Sequence, residues 1–305
     1  MTKLLFVDGS ALLRRAYHAY PPLKSKTGEI VGAVYGVASI LISALEEVKP
    51  THVMVAWDLP KPTFRHIKYV GYKAQRPKAD IEMVEQIPKV KEIIEAMNIV
   101  QVAQEGYEAD DIIGTFSKIK PLNHSNIEPF DVVILTGDQD TMQLVNDHVR
   151  ILTPAKGANP PVLYGPEEVK AKYGVTPEQI VDYKALIGDP SDNIPGVAGI
   201  GPKSAATLLN QFGTVANIYK NIDKIENEKV REKLQNGKDS VELSYELSKI
   251  VTDMKVEETL EMMEYYGLQG ETLKVKFEEF GFKSLIKRFF PEQETVKIDP
   301  QMGLF

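Results

Sequence analysis

Three short apolar runs in this chain each stop at an aspartate or just before one. Leu4-Leu5-Phe6-Val7 runs into Asp8, Val53-Met54-Val55-Ala56-Trp57 into Asp58, and Val132-Val133-Ile134-Leu135-Thr136 into Gly137-Asp138. Unbroken β-branched and aliphatic runs of this length read as strands buried on both faces, the pattern of a parallel sheet. Val31 to Val48 carries apolar residues at helical spacing (Val34, Val37, Leu41, Leu45, Val48) and supplies the crossover helix that two parallel strands require. Ile99 to Ala103 reads as a fourth strand, and Ala109 to Lys120 as the helix after it. Ligands of an open α/β sheet gather outside the carboxyl ends of its strands, so three strand-terminal aspartates would face one crevice. A single such Asp is commonly a turn former or a helix cap. Three in one sheet make a shared site the stronger reading.

More acids lie close by in sequence. Glu108-Ala109-Asp110-Asp111 opens a helix with three acids; each would gain ~0.3–1 kcal/mol from the helix dipole, which accounts for one or two of them. Gly137-Asp138-Gln139-Asp140 and Gly188-Asp189-Pro190-Ser191-Asp192-Asn193 add two pairs. If they meet, Asp8, Asp58, Glu108, Asp110, Asp111, Asp138, Asp140, Asp189 and Asp192 share one pocket. Carboxylates so crowded raise one another's pKa or demand cations. The chain has no Cys, and its five His include no HxxxH pair, which excludes disulfides, thiolate zinc, cysteine nucleophiles and a helical zinc-protease site. An oxygen-only donor set favours Mg²⁺, with Mn²⁺ as substitute. Two such ions would reduce the net charge of −7 to −3. Paired divalent ions ~3.5–4 Å apart serve in-line displacement at phosphodiesters.

The charge is unevenly spread. Between Lys61 and Lys91 eight Lys/Arg stand against three acids, a local +5 within a net negative chain. Either this is a phosphate-binding surface beside an acidic pocket, or an ordinary solvated face. Beyond residue 175, Pro177 to Leu186, Lys203 to Gln211, Asn227 to Leu234 and Ser240 to Val251 read as helices and strand-like runs become scarce. The expected organisation is a catalytic α/β domain over 1–175, a helical region over 176–290 and a polar tail over 291–305. No stretch approaches ~20 apolar residues and no secretory signal is visible, so a cytoplasmic chain is expected.

VDGSALLRRAYHAY, TFRHIKYVGYKAQRPK, EGYEADDIIGT, ILTGDQD and LIGDPSDNIPGVAGIGPKSAATLL occur here in the order found in the bacterial 5′-nuclease domain. The chain resembles that family over roughly residues 3–290. The domain precedes the polymerase in DNA polymerase I, also occurs alone, and is related to phage and eukaryotic flap endonucleases. The resemblance implies a PIN-like α/β fold with a mostly parallel sheet, a helical arch over about 65–100, and a helical DNA-binding region. Carried over by position, Asp8, Asp58, Glu108, Asp110, Asp111, Asp138 and Asp140 match the metal-site acids, and Asp189 and Asp192 match the pair associated with a second metal. Two departures stand out. Arg14 occupies a position where many relatives carry an aromatic, and Pro190 replaces a frequent Ser.

Tyr72-Lys73-Ala74-Gln75-Arg76-Pro77 resembles the arch motif, with Lys73 and Arg76 expected on the scissile phosphate. Arg65 and Arg15 resemble further DNA contacts; a surface ion pair and a solvated side chain are the respective alternatives. Tyr72 either stacks on a base or fills core. Gly199-Ile200-Gly201-Pro202-Lys203, between two helices, forms a helix-hairpin-helix pattern whose backbone N–H groups would grip a phosphate without reading bases. The resemblance adds K⁺ at that hairpin. Gln301-Met302-Gly303-Leu304-Phe305 is similar to the bacterial sliding-clamp-binding pentapeptide, with Gln301, Leu304 and Phe305 as its anchors. Together these features lead one to expect a monomeric, stand-alone, Mg²⁺-dependent 5′-nuclease acting on flapped DNA and RNA primers. Its rivals are a non-catalytic flap-binding module and an RNA-directed nuclease.

Overall fold

The structure is a computed structural model and describes residues 2–118, 131–155, 157, 159–268 and 270–290. Strand β1 (Lys3–Asp8) is followed by helices α1 (Gly9–Ala19) and α2 (Gly32–Val48), then β2 (His52–Ala56). Two short helices, α3 (Phe64–Lys68) and α4 (Ile81–Val84), precede α5 (Ile87–Ala96) and β3 (Val100–Val102). After α6 (Ala109–Ser117) come β4 (Asp131–Leu135), β5 (Val149–Thr153) and β6 (Val162–Tyr164). The rest is helical: α7 (Pro166–Tyr173), α8 (Ile180–Ile187), α9 (Pro202–Phe212), α10 (Val215–Lys220), α11 (Glu228–Asn236), α12 (Lys238–Ser248), α13 (Glu271–Phe280) and α14 (Lys283–Phe289).

The six strands pair in the order β3-β2-β1-β4-β5-β6, parallel throughout except for the antiparallel pair β5–β6. The chain winds from β1 outward through β2 to β3, then returns to lay β4 against the other edge of β1. The order therefore reverses between β1 and β4, and a crevice opens at their carboxyl ends. Asp8 ends β1, and Thr136-Gly137-Asp138 follows β4.

Side chains alternate across the central strand, and both faces are covered. Leu4 and Phe6 join Ile112 and Phe116 of α6 and the helical residues Leu186, Leu208 and Leu209 in one core. Leu5 and Val7 point the other way, into α1, α2 and α5. This double coverage explains why the strands read as unbroken apolar runs.

Three features depart from the sequence expectation. Helix α1 is not among the sequence expectations, which place no helix after Asp8; Asp8 ends β1 and is also the N-cap of α1, accepting from the Ala11 N–H at 2.8 Å. The 65–100 segment, expected as a helical arch, is short-stepped rather than one continuous helix. It holds two short helices and a run of turns laid against the acids, while α5 belongs to the helical cover of the sheet. Third, α13 and α14 leave the helical region and return to the α1/α2/α5 face. Leu273, Phe277, Phe280, Phe282 and Leu285 are buried there, and Phe282 meets Tyr35 edge-on at 5.3 Å. Among the described residues no helix is long and apolar enough to cross a membrane. The pentapeptide Gln301–Phe305 lies outside the described residues.

If α13 is integral to the sheet's core, Phe277→Ala should cost about 3–5 kcal/mol. Urea unfolding should shift as one transition; a separate early transition would show that the C-terminal helices are an accessory.

Candidate active site

The acids of the crevice are held by the fold that presents them. Asp8 gives one oxygen to the α1 cap and accepts the Thr136 hydroxyl on the other at 3.0 Å. Thr136 is fully buried, and its oxygen accepts the Asp138 N–H at 3.0 Å, so one hydroxyl joins the ends of β1 and β4. Asp138 in turn accepts the Asp140 N–H at 2.9 Å. Asp58 accepts the Ala109 N–H at the start of α6 at 2.8 Å, while its own N–H donates to Ser10.

Cations occupy much of the remaining carboxylate surface. Lys73 donates to Glu108 at 2.7 Å and lies 3.8 Å from Asp192. Arg76 pairs with Asp192 and donates to the Ser191 carbonyl. The turn carrying Lys73 is zipped to the Asp192 turn by backbone as well: the Lys73 N–H donates to the Asp192 carbonyl at 2.9 Å, and the Asn193 amide donates to Gly71 O at 2.7 Å. Lys73 has φ 55° and Asn193 φ 57°, a left-handed conformation in both halves of the zipper. Lys184 bridges Asp140 and Asp189, the latter at 2.8 Å. Sequence reasoning missed Lys184 and Thr136; the spacing of Lys184, five residues before Asp189 on a helix leading into the acidic turn, was the available signal.

Four of the sequence-predicted residues take different roles. Asp111 is fully buried and accepts four hydrogen bonds, two from Arg65 at 2.7 Å and one each from the Glu108 and Val251 N–H groups. Its oxygens face inward and are already satisfied, so it is a structural anion rather than a metal ligand. Arg65 is 2% exposed and also donates to the Leu247 and Lys249 carbonyls, which removes it from any DNA contact. Tyr72 is 3% exposed and donates to Glu108 and Asp192 at 3.0 and 3.2 Å, so it braces the site instead of stacking on a base. Arg15 donates to the Pro154 and Ala155 carbonyls and braces the exit of β5. Gly199 has φ 80° and its carbonyl accepts from Lys233 at 2.9 Å; Gly201 caps α9 with open space beside it, and Lys203 is exposed.

Electrostatics separate the acids into two sets. Burial, then the charge of Asp58, pushes the Asp8 pKa up to about 7. Burial and the neighbouring Asp111 raise Asp110 well above the carboxylate range, and burial raises Asp138. Asp189 goes the other way: Lys184 and the Ser191 hydroxyl overcome its burial and lower it. Oxygen Oδ1 of Asp110 is buried with no hydrogen-bond partner among the described residues. A buried acceptor left unmatched beside uncompensated carboxylates is the arrangement a hard cation satisfies, and every available donor is oxygen. Among the described residues no three acids are gathered at metal-holding geometry as they stand. Lys73, Arg76 and Lys184 lie between them.

Comparison with known proteins gives the frame. The profile of the 5′-3′ exonuclease N-terminal resolvase-like domain matches residues 3–174, and that of the 5′-3′ exonuclease C-terminal SAM fold matches residues 175–271. The chain belongs to the 5′-3′ exonuclease family. It is 41% identical over 300 residues to DNA polymerase I of Bacillus subtilis, covering 98% of this chain and 34% of the polymerase. The chain thus spans about a third of the length of the curated relatives it matches. The bacteriophage T5 D15 flap endonuclease, solved as a pseudo-enzyme-product complex with DNA and metal ions, superposes with TM-score 0.65 at 22% identity over 82% of this chain and 89% of that one. The catalytic core of Rad2 in complex with a DNA substrate gives TM-score 0.60 at 16% identity over 95% and 92%. These two likenesses establish a shared PIN-like fold.

Removing Arg65 would leave Asp111 as an unpaired charge in the interior, so Arg65→Ala should destabilise by about 3–5 kcal/mol in thermal or chemical unfolding. An Asp with a raised native pKa keeps a proton that the unfolded chain has lost. Its contribution favours the fold at low pH and fades as pH rises towards about 7. Metal-free protein should therefore have a lower urea midpoint at pH 7.5 than at pH 5. Asp8→Asn, which keeps the capping oxygen, should reduce that difference.

Proposed function

We propose that this chain is a structure-specific 5′-nuclease that cleaves phosphodiesters at 5′ flaps and in RNA-primed DNA, in replication and repair. Family membership supports the reaction class, and the partnerless buried oxygen of Asp110, within reach of the Glu108 and Asp138 charges, is the observation that carries the reading to chemistry. Asp8, Asp110 and Asp138 would hold one divalent ion, with Asp58 and Glu108 flanking it; Asp140, Asp189 and Asp192 would hold a second. Mg²⁺ fits the all-oxygen donor set, and Mn²⁺ is the natural substitute. Bound ions of this kind lower the pKa of water and take up charge developing on a phosphodiester.

The protein's own groups supply the rest. Lys73 and Arg76 are kept protonated: burial opposes their charge, but the Glu108 and Asp192 carboxylates more than offset it. Both are therefore cationic at neutral pH and stand between the acids and the cavity, where they would bind the scissile phosphate. No His is required as general base. The Gly199–Lys203 segment, opening into α9, would grip duplex phosphates by backbone N–H groups as the return arm of a helix-hairpin-helix. K⁺ at this hairpin would compete with Lys233 for the Gly199 carbonyl. The sliding-clamp contact through the C-terminal pentapeptide belongs to the same proposal, since two apolar anchors and one amide suit a small pocket.

The test is a 5′-labelled double-flap DNA incubated with Mg²⁺ or with EDTA. Wild type should cut near the flap junction only with Mg²⁺. Asp138→Ala should lose about 10²-fold or more in cutting while still folded at the assay temperature, as checked by its cooperative thermal unfolding. Binding without cutting under both conditions would instead favour a non-catalytic flap-binding module.

A further inference from the structure

The crevice is divided into two chambers. The larger, of about 1010 Å³, is walled by Asp138, Asp140 and Asp189; the smaller, of about 320 Å³, by Asp58 and Glu108. Two side chains line both: Arg14 and Arg76. They form the partition between chambers, Arg14 from α1 and Arg76 from the turn before α4.

The two arginines are in different states. Arg76 is committed to Asp192 and the Ser191 carbonyl. Lys73 and Lys184 are likewise held by carboxylates, and Lys61 at the rim by Glu105. Arg14 has an exposed side chain with no hydrogen bond or ion pair among the described residues. Its neighbour Arg15 turns away and is spent on two backbone carbonyls.

The helix carrying Arg14 is firmly set. Asp8 caps it, and Leu12, Leu13 and Ala16 are buried beneath. An unpartnered guanidinium on a rigid helix, facing cavities lined with carboxylates, is oriented before any ligand arrives. A polynucleotide strand long enough to occupy both chambers would cross the wall that Arg14 and Arg76 share. Lys78 is also unpaired among the described residues but lines the larger chamber alone, so at the shared wall Arg14 is the uncommitted cation, and its planar guanidinium can meet two phosphate oxygens at once.

We infer that Arg14 binds a backbone phosphate of the cleaved strand where it crosses between the chambers, opposite Arg76. The inference rests on the nuclease reading above and adds a substrate contact to it. The contact is blind to base identity, because it reaches only the backbone.

The experiment is equilibrium binding of a 5′-flap DNA in EDTA over a range of salt concentrations, with single-turnover cleavage in Mg²⁺ alongside. Wild type is compared with Arg14→Gln, Arg14→Lys and Lys283→Gln, the last an exposed charge removed from α14. Arg14→Gln should lower the slope of log affinity against log salt by about 0.7, one single-stranded phosphate, and weaken binding roughly tenfold at low salt. Arg14→Lys should keep the slope and recover part of the affinity, and Lys283→Gln should match wild type in both. All should melt as wild type does, since Arg14 supports nothing in the fold. Arg14→Gln with the wild-type slope and affinity, beside a wild type that binds and cuts, overturns this inference alone. A wild type that neither binds nor cuts the flap overturns the nuclease reading and this inference with it.

Discussion

Negative charge concentrated at the carboxyl ends of β1, β2 and β4 is the constraint around which this molecule is built. A parallel sheet aims its strand ends at one crevice, and here the chain places Asp8, Asp58 and Asp138 there. Carboxylates so placed repel one another and lose hydration, which is why burial and the neighbouring charge of Asp58 carry Asp8 to about 7. The fold tolerates them by giving each a second task. Asp8 caps α1, Asp58 accepts from the first turn of α6, and Thr136 ties Asp8 to the Asp138 turn. Structural and candidate functional roles are thus carried by the same oxygens, and a substitution at any of them touches both.

The Arg65–Asp111 pair solves a different part of the same problem. Arg65 lies in α3, Asp111 in the first turn of α6, and the carbonyls that Arg65 also reaches belong to the end of α12 and the residue after it. One buried guanidinium therefore fastens the segment bearing Lys73 and Arg76, the helix that Glu108 caps and Asp110 opens, and the helical region together. Buried pairs of this kind add little net stability compared with apolar packing, but breaking one is costly. Its value here is geometric: it fixes where Glu108 points relative to Lys73 and Tyr72.

The parts of this design that were legible in the sequence are those governed by local pattern. Strands ending in Asp, a helix opening in Glu108-Ala109-Asp110-Asp111, and a Gly-rich turn before α9 each announce themselves within ten residues. What was not legible depends on rotation about a helix or on partners far along the chain. Arg14 and Arg15 are adjacent and chemically identical, yet one step of about 100° around α1 sends the first to the crevice and the second to the Pro154 carbonyl. Asp110 and Asp111 separate in the same way, one to an unmatched buried oxygen and the other to Arg65. Thr136 reads as the last residue of an apolar strand, and only the pairing of β1 with β4 brings its hydroxyl to Asp8.

Lys73, Arg76 and Lys184 complete the picture, because each neutralises an acid that the proposed chemistry needs. In an acid cluster without counter-charges, desolvation would oppose folding; with three cations interleaved, Glu108, Asp140, Asp189 and Asp192 are paired inside the folded chain. Divalent ions carry more charge per site and would compete for those oxygens, freeing the ammonium and guanidinium groups at the position where a phosphodiester would lie. On the proposed chemistry, the groups that pair the acidic crevice would also be the ones freed to meet the strand. A carboxylate site paired by its own cations is assembled within the folded chain, and the left-handed turns at Lys73 and Asn193 hold the two halves of that arrangement face to face.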